Sequence, residues 1–284
     1  MTQAPTPTLP QRGREIQEPR SAREATGIAV VVERSQPMAG AIELVVSRLP
    51  SAAAIQPGQF FQIGVGGPHT LLRRPYSAAW ADTSSGRIGF IFNVVGAGSA
   101  WLANRHAGHD LDLLGPLGRG FELDGDGPVV CVAGGLGVAV FPGVVQELIA
   151  RGRDVIMLLG ARSESQLLPA DRFPGADVRV ATDDGSAGHQ GSVVDLVAAT
   201  AARAIFACGP TSMLQALIDE ARRLEIPLSS IQIALETPMG CGVGTCLGCA
   251  APRRGGGYLL TCQEGPCVCA DRLDWSLMTD AFHG

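Results

Sequence analysis

Six cysteines are concentrated in one short stretch near the C-terminus, from Cys241 to Cys269. The first three follow the spacing Cys-x4-Cys-x2-Cys, and a fourth cysteine follows after twelve intervening residues. Three close cysteines and one distant cysteine are the plant-type arrangement of a [2Fe-2S] cluster. Interspersed glycines allow the chain to bend around an inorganic core. The spacing predicts four cluster ligands: Cys241, Cys246, Cys249 and Cys262.

Two alternatives to this interpretation remain open on the spacing alone. Four thiolates can also hold zinc, although zinc loops usually carry two Cys-x2-Cys hooks and this stretch has one. Cys267 competes with Cys262 for the place of the fourth ligand, and Cys269 is surplus to either cluster.

A second motif, Arg74-Pro75-Tyr76-Ser77, combines groups that suit a flavin nucleotide. An arginine on a rigid strand can bind a phosphate, a tyrosine offers a stacking face, and a serine hydroxyl can reach a ring nitrogen. Downstream, Gly98 and Ser99 lie at the start of a short predicted helix, which we expect Ser99 to cap. Each feature alone also fits an ordinary turn.

A glycine-rich turn containing Gly134, Gly135 and Gly137 follows an apolar run, which suggests a dinucleotide-binding turn between a strand and a helix. Other strand ends bring further candidates to the same edge of a parallel sheet, where open sheets bind ligands. These candidates are Arg162, Asp183, Cys208, Gly209 and Pro210. Simpler interpretations remain: the glycine turn could only pack a strand on a helix, Asp183 could belong to an ordinary turn, and Cys208 could be a small buried residue.

The elements that would position these residues change character along the chain. Short alternating runs between turns predict an antiparallel barrel with strands over Ile28 to Val32, Ala41 to Ser47, Gln59 to Val65, Tyr76 to Trp80, Ile88 to Val95 and Asp110 to Leu114. Strands then alternate with helices, which predicts a parallel sheet. Its strands are expected over Val129 to Ala133, Val155 to Leu159, Val178 to Thr182, Ala204 to Cys208 and Ile231 to Leu235, and its helices over Val138 to Arg151, Ser192 to Ala202 and Thr211 to Leu224.

The predicted fold class is therefore multidomain: an antiparallel β-barrel, an α/β domain with a parallel sheet, and a small C-terminal cysteine-rich domain. We expect a disordered tail over residues 1–24, the barrel over 25–126, the α/β domain over 127–235 and the cluster domain over 236–284.

Composition narrows the possible functions. All 22 basic residues are arginines, so chemistries that need a lysine, such as Schiff-base formation, are excluded. A formal charge of −5 makes nucleic acid and an anionic membrane poor partners. The apolar stretch from Pro128 to Gln146 is interrupted by glycines and a proline, so we do not expect it to span a membrane. Without an apolar signal core at the N-terminus, we expect a cytoplasmic protein.

The order of these motifs resembles the ferredoxin–NADP⁺ reductase superfamily and, within it, the dihydroorotate dehydrogenase B electron-transfer subunits. The resemblance covers about residues 25 to 268, and it also rests on Gly115-Pro116-Leu117-Gly118, Thr182 to Ser186, and Glu236 to Cys249. It implies FAD, a [2Fe-2S] cluster and NAD as cofactors. By position, it implies FAD contacts from Arg74, Pro75, Tyr76, Ser77, Ile91, Phe92, Asn93, Gly98 and Ser99.

The resemblance also implies a separate FMN-containing dihydroorotate dehydrogenase catalytic subunit, assembled as a heterotetramer of two of each chain. Electrons would pass from that subunit through the cluster and FAD to NAD⁺, as part of pyrimidine biosynthesis. Two other hypotheses remain: an NAD(P)H-dependent reductase that feeds an oxygenase or another redox partner, and a zinc-stabilised binding subunit without an electron path.

Overall fold

The computed structural model describes residues 26–47, 55–66, 70–200 and 204–278. The strands are β1 (Thr26–Ser35), β2 (Ala41–Ser47), β3 (Phe60–Ile63), β4 (Arg74–Ser77), β5 (Trp80–Asp82), β6 (Arg87–Asn93), β7 (Asp110–Leu117), β8 (Val129–Gly134), β9 (Val155–Ala161), β10 (Asp177–Thr182), β11 (His189–Gln190), β12 (Ala204–Cys208), β13 (Ile231–Ala234), β14 (Ala250–Pro252), β15 (Tyr258–Leu260) and β16 (Cys267–Cys269). The α-helices are α1 (Ala97–Ala103), α2 (Phe141–Ala150), α3 (Thr211–Arg223) and α4 (Thr261–Glu264). Segments of 3₁₀-helix span Gly135–Val140, Glu164–Gln166, Ala170–Arg172, Val193–Ala199, Leu228–Ser230 and Ala270–Arg272.

The first sheet is antiparallel, with its seven strands in the order β4-β3-β7-β1-β2-β6-β5. The ring of Tyr76 on β4 lies 5.1 Å from the ring of Phe92 on β6, so the sheet curls until strands far apart in this order meet. Alternate residues of β7 are buried, as a half-exposed strand requires. The sheet therefore forms the predicted barrel around its own apolar core.

The predicted strand Tyr76 to Trp80 is wrong in one respect, because it is divided into β4 and β5. The division occurs where the chain changes its hydrogen-bonding partner. The amide of Ala78 donates to Gln59, whereas the amide of Ala79 donates to Gly89 on β6. The strand predicted over Ala41 to Ser47 has the bounds of β2.

The second sheet has the order β11-β10-β9-β8-β12-β13-β16, and all its pairings are parallel except that of β13 with β16. β8 is buried along its whole length, with one apolar core on each face of the sheet. This explains its nearly continuous apolar sequence. The strand predicted over Ala204 to Cys208 has the bounds of β12.

Two helices differ from their predictions, one in its first residue and the other in its helix type. The helix expected over Val138 to Arg151 starts as a 3₁₀ turn, and α2 begins only at Phe141, where Pro142 suits a first helical turn. The helix expected over Ser192 to Ala202 is a 3₁₀ segment that ends at Ala199, and residues 201–203 lie outside the described ranges. The predicted tail over residues 1–24 also lies outside them.

The cysteine-rich segment is attached to the second sheet. β16 pairs antiparallel with β13, so that Ala234 faces Cys267 and Gln232 faces Cys269. In the sequence between β13 and β16, strands β14 and β15 form a hairpin. Its buried Leu259 packs in one of the apolar cores of the second sheet. The strand over Cys267–Cys269 was not predicted from the sequence. In the described ranges, none of the helices has the length and apolar character needed to cross a membrane.

Candidate functional site

The four predicted cluster cysteines lie on one loop and its return. Cys249 and Cys262 are buried, and their sulfur atoms are 3.2 Å apart. Cys241 and Cys246 form a second side-chain pair near the surface. Because each iron of a [2Fe-2S] cluster takes two ligands, two neighbouring pairs of thiols fit this cofactor.

The loop supplies hydrogen bonds that favour a charged sulfur. The amides of Val243 and Cys246 both donate to Cys241 Sγ at 3.4 Å. Burial raises the pKa of Cys241, but hydrogen bonds from Thr245 and these amides outweigh it and lower the pKa to about 6. The pKa of Cys262 is raised to about 12 by burial and by the neighbouring Cys249. Gly242 has a φ of +74°, which glycine adopts without strain, and this turn precedes the Val243 amide that donates to Cys241.

The zinc alternative finds less support in this arrangement. A structural zinc ion needs four ligands around one point. Among the residues that the structure describes, no three His, Cys, Asp or Glu side chains converge closely enough to hold one metal ion. The four cysteines instead form two separate pairs, Cys249 with Cys262 and Cys241 with Cys246, as the two irons of a [2Fe-2S] cluster require.

The rival ligand Cys267 lies elsewhere. Its sulfur is buried on β16 and faces the carbonyl of Gly58 at 3.8 Å. It belongs to the apolar core that contains Phe121 and Cys208, whereas Cys249 and Cys262 pack with Phe60. The position of Cys267 favours Cys262 as the fourth ligand. Cys269 is half-buried, and burial raises its pKa.

The cysteine loop packs against the barrel face that carries β3 and β4. Phe60 on β3 is directly opposite Ser77 on β4, and Gln62 is opposite Pro75, so these residues share one face. A Cβ atom on Gly242 would lie only 2.7 Å from Cγ of Gln62. The close approach places the cluster loop against β3, the neighbour of strand β4 with its predicted flavin residues. Sequence analysis missed Gln62, because an isolated glutamine on a strand carries no motif.

Two of the predicted flavin residues are brought together by α1 and β4. A Cβ atom on Gly98 would lie 3.0 Å from Nε of Arg74, so the helix approaches the guanidinium closely. Burial raises the pKa of Tyr76 to about 12, and its ring packs on Phe92. Asn93 Oδ1 is buried and has no hydrogen-bond partner in the described part of the chain. An orphaned acceptor of this kind fits a site that is completed by a polar cofactor.

Two predicted contacts take a different form from the one expected. Ser99 is not the N-cap of α1, because Gly96 holds that position. The Ser99 hydroxyl instead accepts hydrogen bonds from the amides of Val95 and Gly96 at 2.9 and 3.1 Å. It shapes the loop before the helix. The side chain of Ile91 is buried in the core between barrel and sheet, so only its backbone can face a cofactor.

A cleft of about 590 Å³ separates the barrel from the carboxyl ends of the parallel strands. Five predicted nucleotide-binding residues line it: Gly134, Gly135, Arg162, Asp183 and Pro210. Asn93 lines the cleft from the barrel side, together with Met38 and Ala39. The cleft is placed where open parallel sheets bind ligands, and its size suits a nucleotide.

The other three predicted nucleotide-binding residues do not line the cleft but pack next to residues that do. They are Gly137, Cys208 and Gly209. A Cβ atom on Gly137 would lie 2.4 Å from the carbonyl oxygen of Cys208, so this glycine allows the turn to pack on β12. Gly209 has a φ of +156° beside Met213. The Cys208 thiol is buried, and its sulfur lies 3.8 Å from a carboxylate oxygen of Glu236. Burial and this carboxylate both raise the pKa of Cys208.

A protein family and several known proteins match this chain. The family described as the iron–sulfur cluster binding domain of dihydroorotate dehydrogenase B matches residues 236–274. The dihydroorotate dehydrogenase B (NAD(+)) electron transfer subunit of Geobacillus kaustophilus is 36% identical over 220 residues, covering 74% of this chain and 84% of that protein. That of Shouchella clausii is 33% identical over 255 residues, covering 86% and 96%.

Solved structures agree with the fold. The NADH-dependent reduced ferredoxin-NADP oxidoreductase has a chain that superposes with a TM-score of 0.78 at 27% identity, covering 88% of this chain and 91% of that chain. The ferredoxin reductase of carbazole 1,9a-dioxygenase, at 23% identity and a TM-score of 0.65, shares the fold and covers 74% and 68%. The predicted fold class, a barrel, a parallel α/β sheet and a cysteine-rich C-terminal part, is confirmed. The chain belongs to the family of dihydroorotate dehydrogenase B electron transfer subunits.

Proposed function

We propose that this chain carries electrons to NAD⁺ from a partner subunit. The partner subunit would release these electrons by oxidising dihydroorotate. The protein is an oxidoreductase electron transfer subunit that uses FAD, a [2Fe-2S] cluster and NAD. A flavin exchanges a hydride with nicotinamide and single electrons with an iron–sulfur cluster, which makes it the necessary converter between the two. The observation that carries the proposal is the packing of the cysteine loop on the barrel face that bears Gln62 and Pro75.

The residues of the chain have separate tasks in this scheme. Cys241, Cys246, Cys249 and Cys262 would hold the cluster, and Gly242 with its neighbours would direct amides at the sulfurs. Arg74, Tyr76 and Ser77 would bind the flavin nucleotide along β4, with Asn93 and Gly98 beside them. The cleft residues Gly135, Arg162, Asp183 and Pro210 would bind the nicotinamide cofactor.

An exposed apolar surface beside the cluster loop supports a partner at this end of the molecule. Leu72 is 52% exposed and Leu247 is 62% exposed. A Cβ atom on Gly240 would lie 3.9 Å from Leu72 Cδ1 and 3.5 Å from the sulfur of Cys246. Apolar side chains exposed together are a common mark of a protein interface. We propose that the FMN-containing catalytic subunit covers this surface in a heterotetramer of two of each chain.

We propose NAD⁺ rather than NADP⁺ as the acceptor. Arg162 at the end of β9 lines the cleft and would hydrogen-bond a ribose hydroxyl. Glu164 follows closely, and its amide donates to Ser186 Oγ at 2.8 Å, which ties the two turns at this edge together. A carboxylate here would repel a phosphate of charge about −1.5 to −2. Reduction of the flavin by NADH and by NADPH tests the choice: a preference for NADPH that is lost in Arg162→Ala would overturn it.

We also propose that the protein works in the cytoplasm. None of the eight cysteines forms a disulfide in the structure, and cysteines stay reduced in that compartment, as cluster ligands must.

Co-expression with an FMN-binding dihydroorotate dehydrogenase chain tests the proposed function. We expect the two chains to copurify, to show flavin and iron–sulfur absorption, and to reduce NAD⁺ when dihydroorotate is added. Failure to form the complex, with active reduction of an oxygenase ferredoxin by NADH, would instead assign the chain to reductases of other partners. A colourless preparation that contains zinc would refute electron transfer altogether.

A further inference from the structure

One buried ion pair joins the barrel to the parallel sheet. Glu43 lies in the middle of β2, and its side chain is 6% exposed. Arg172 belongs to the 3₁₀ turn Ala170–Arg172 of the other domain. Its two terminal nitrogens donate to the two carboxylate oxygens of Glu43, at 2.9 and 2.6 Å. The contact is therefore bidentate and connects residues that are far apart in the sequence.

The barrel is built to receive this contact. Trp80 Nε1 donates to Glu43 Oε1 at 2.8 Å, and Ser35 Oγ donates to Oε2 at 3.4 Å. The indole lies across Gly89, where a Cβ atom would be only 2.2 Å from Trp80 Nε1. Burial raises the pKa of Glu43, but the hydrogen bonds from Arg172 and Trp80 outweigh it and the pKa is lowered. The Glu43 carboxylate is therefore charged, and each of its two oxygens accepts two hydrogen bonds.

Stability alone is a weak reason for such a pair, because removing two charges from water costs about as much as their attraction returns. The domains also share an apolar contact, in which Phe121 stacks on Phe206 at 4.9 Å, and single backbone hydrogen bonds such as the one from the amide of Gly143 to the carbonyl of Ala79 at 2.7 Å. Apolar burial has no preferred direction, and a single backbone hydrogen bond fixes one distance between the domains. A bidentate guanidinium–carboxylate pair fixes both distance and orientation.

The pair stands directly behind the nucleotide cleft. Ala41 on β2 is paired with Asn93, which lines the cleft, and Glu43 is paired with Ile91 on the same strand. On the other side, the amide of Ala39 donates to the carbonyl of Ser165 at 2.8 Å. Gln166, next to Ser165, also lines the cleft. A shift at the ion pair would therefore change the distance between the two walls.

We propose that Glu43 and Arg172 are positioning residues that set the width and register of the cleft between the flavin-binding barrel and the nicotinamide-binding sheet. This inference rests on the proposed function. The pair touches neither cofactor; it would act through the walls that carry Asn93 and Gln166. A displacement of about 1 Å between reacting groups can slow a reaction about a hundredfold without preventing binding.

The test uses the full chain loaded with its cofactors and compares wild type with Arg172→Met and Glu43→Gln. Stopped-flow measurement would give the limiting rate of flavin reduction by NADH and the NADH concentration at half-saturation. We expect the limiting rate to fall by about tenfold or more in both variants, as misalignment of bound reactants predicts, while half-saturation and FAD content stay near wild type. Hydrogen exchange of residues 36–44 and 163–173 should increase.

Arg172→Lys should recover part of the rate, because it restores the charge without the second hydrogen bond. The matched control is Arg151→Met, which removes exposed ion pairs with Asp124 and Glu147 away from the cleft and should leave the rate unchanged. A limiting rate unchanged in both Arg172→Met and Glu43→Gln, with soluble and flavin-loaded protein, would overturn the inference.

Two further outcomes also decide the matter. If Arg172→Met does not fold, the milder Glu43→Gln carries the test, because it keeps the shape of the side chain and can still accept from Trp80. If NADH fails to reduce the flavin of the wild-type protein, the proposed function is wrong. Hydrogen exchange then tests the ion pair separately, and unchanged exchange in both segments would refute its role in holding the domains.

Discussion

Cys262 and Cys267, the two candidates for the fourth cluster ligand, lie in different environments. Their substitution is therefore expected to affect the cluster differently. Cys262 is paired with Cys249, whereas Cys267 is buried beside Gly58 on β16. We expect Cys262→Ser to lose both iron and acid-labile sulfide, because the cluster needs four thiolates. Cys267→Ser should retain both. Iron and sulfide analysis of the purified variants checks this, and the reverse result would mean that Cys267 is the fourth ligand.

The flavin contacts proposed for β4 can be tested one side chain at a time. Arg74→Ala removes a guanidinium that lies against Gly98, and Tyr76→Ala removes a half-buried ring. Each change should weaken FAD binding by about 1–3 kcal/mol, as expected for one charged hydrogen bond or one buried aromatic group. FAD content after gel filtration is the measurement. Full retention of FAD in both variants would count against β4 as the flavin site.

Residues with a motif could be found in the sequence, and residues without one could not. The cysteine spacing and Arg74-Pro75-Tyr76-Ser77 are local patterns, so they were accessible. Glu43 and Arg172 are separated by most of two domains, and their contact depends on how the barrel docks on the sheet. Gln62 likewise acquires its neighbours from a loop distant in sequence. Only the assembled structure reveals such residues.

At the level of elements, the glycine turn after β8 has a packing role that can be separated from binding. Gly137→Ala would place a Cβ atom 2.4 Å from the carbonyl oxygen of Cys208. We expect a loss of about 1–3 kcal/mol in the free energy of unfolding, typical of an overpacked core. Gly135→Asn serves as the control, because φ is +54° and the space around it is open. Urea denaturation compares them, and equal midpoints would refute the packing role.

Periodicity predicted most strands but not all of the local geometry. Alternation and apolar runs were sufficient for β2 and β12, whose bounds match the prediction. The 3₁₀ segment Val193–Ala199 was predicted as an α-helix because its apolar pattern suits both. β16 was missed because a strand of three residues is defined by its partner β13 and carries too little pattern of its own.

For the whole molecule, the exposed leucines beside the cluster loop predict where the partner docks. Leu72→Asp and Leu247→Asp should reduce copurification with the catalytic subunit, because each puts a charge into an apolar interface. FAD and iron content should remain at wild-type levels. The control is Tyr258→Asp, since Tyr258 is 70% exposed on the hairpin strand β15. If both leucine variants still assemble normally, the partner occupies another face.

The attachment of β16 to β13 implies an order of events during maturation. The two strands hold the base of the cysteine-rich segment together, so the long excursion between them is closed by sheet hydrogen bonds. Pairing of β13 with β16 closes the loop between them. The conformational entropy lost on loop closure is therefore lost when the sheet folds, and iron binding does not have to offset it. The folded chain itself brings Cys249 and Cys262 side by side. Insertion of iron and sulfide then becomes a late step on a folded chain, and a supply that fails would leave intact apoprotein that can still be filled.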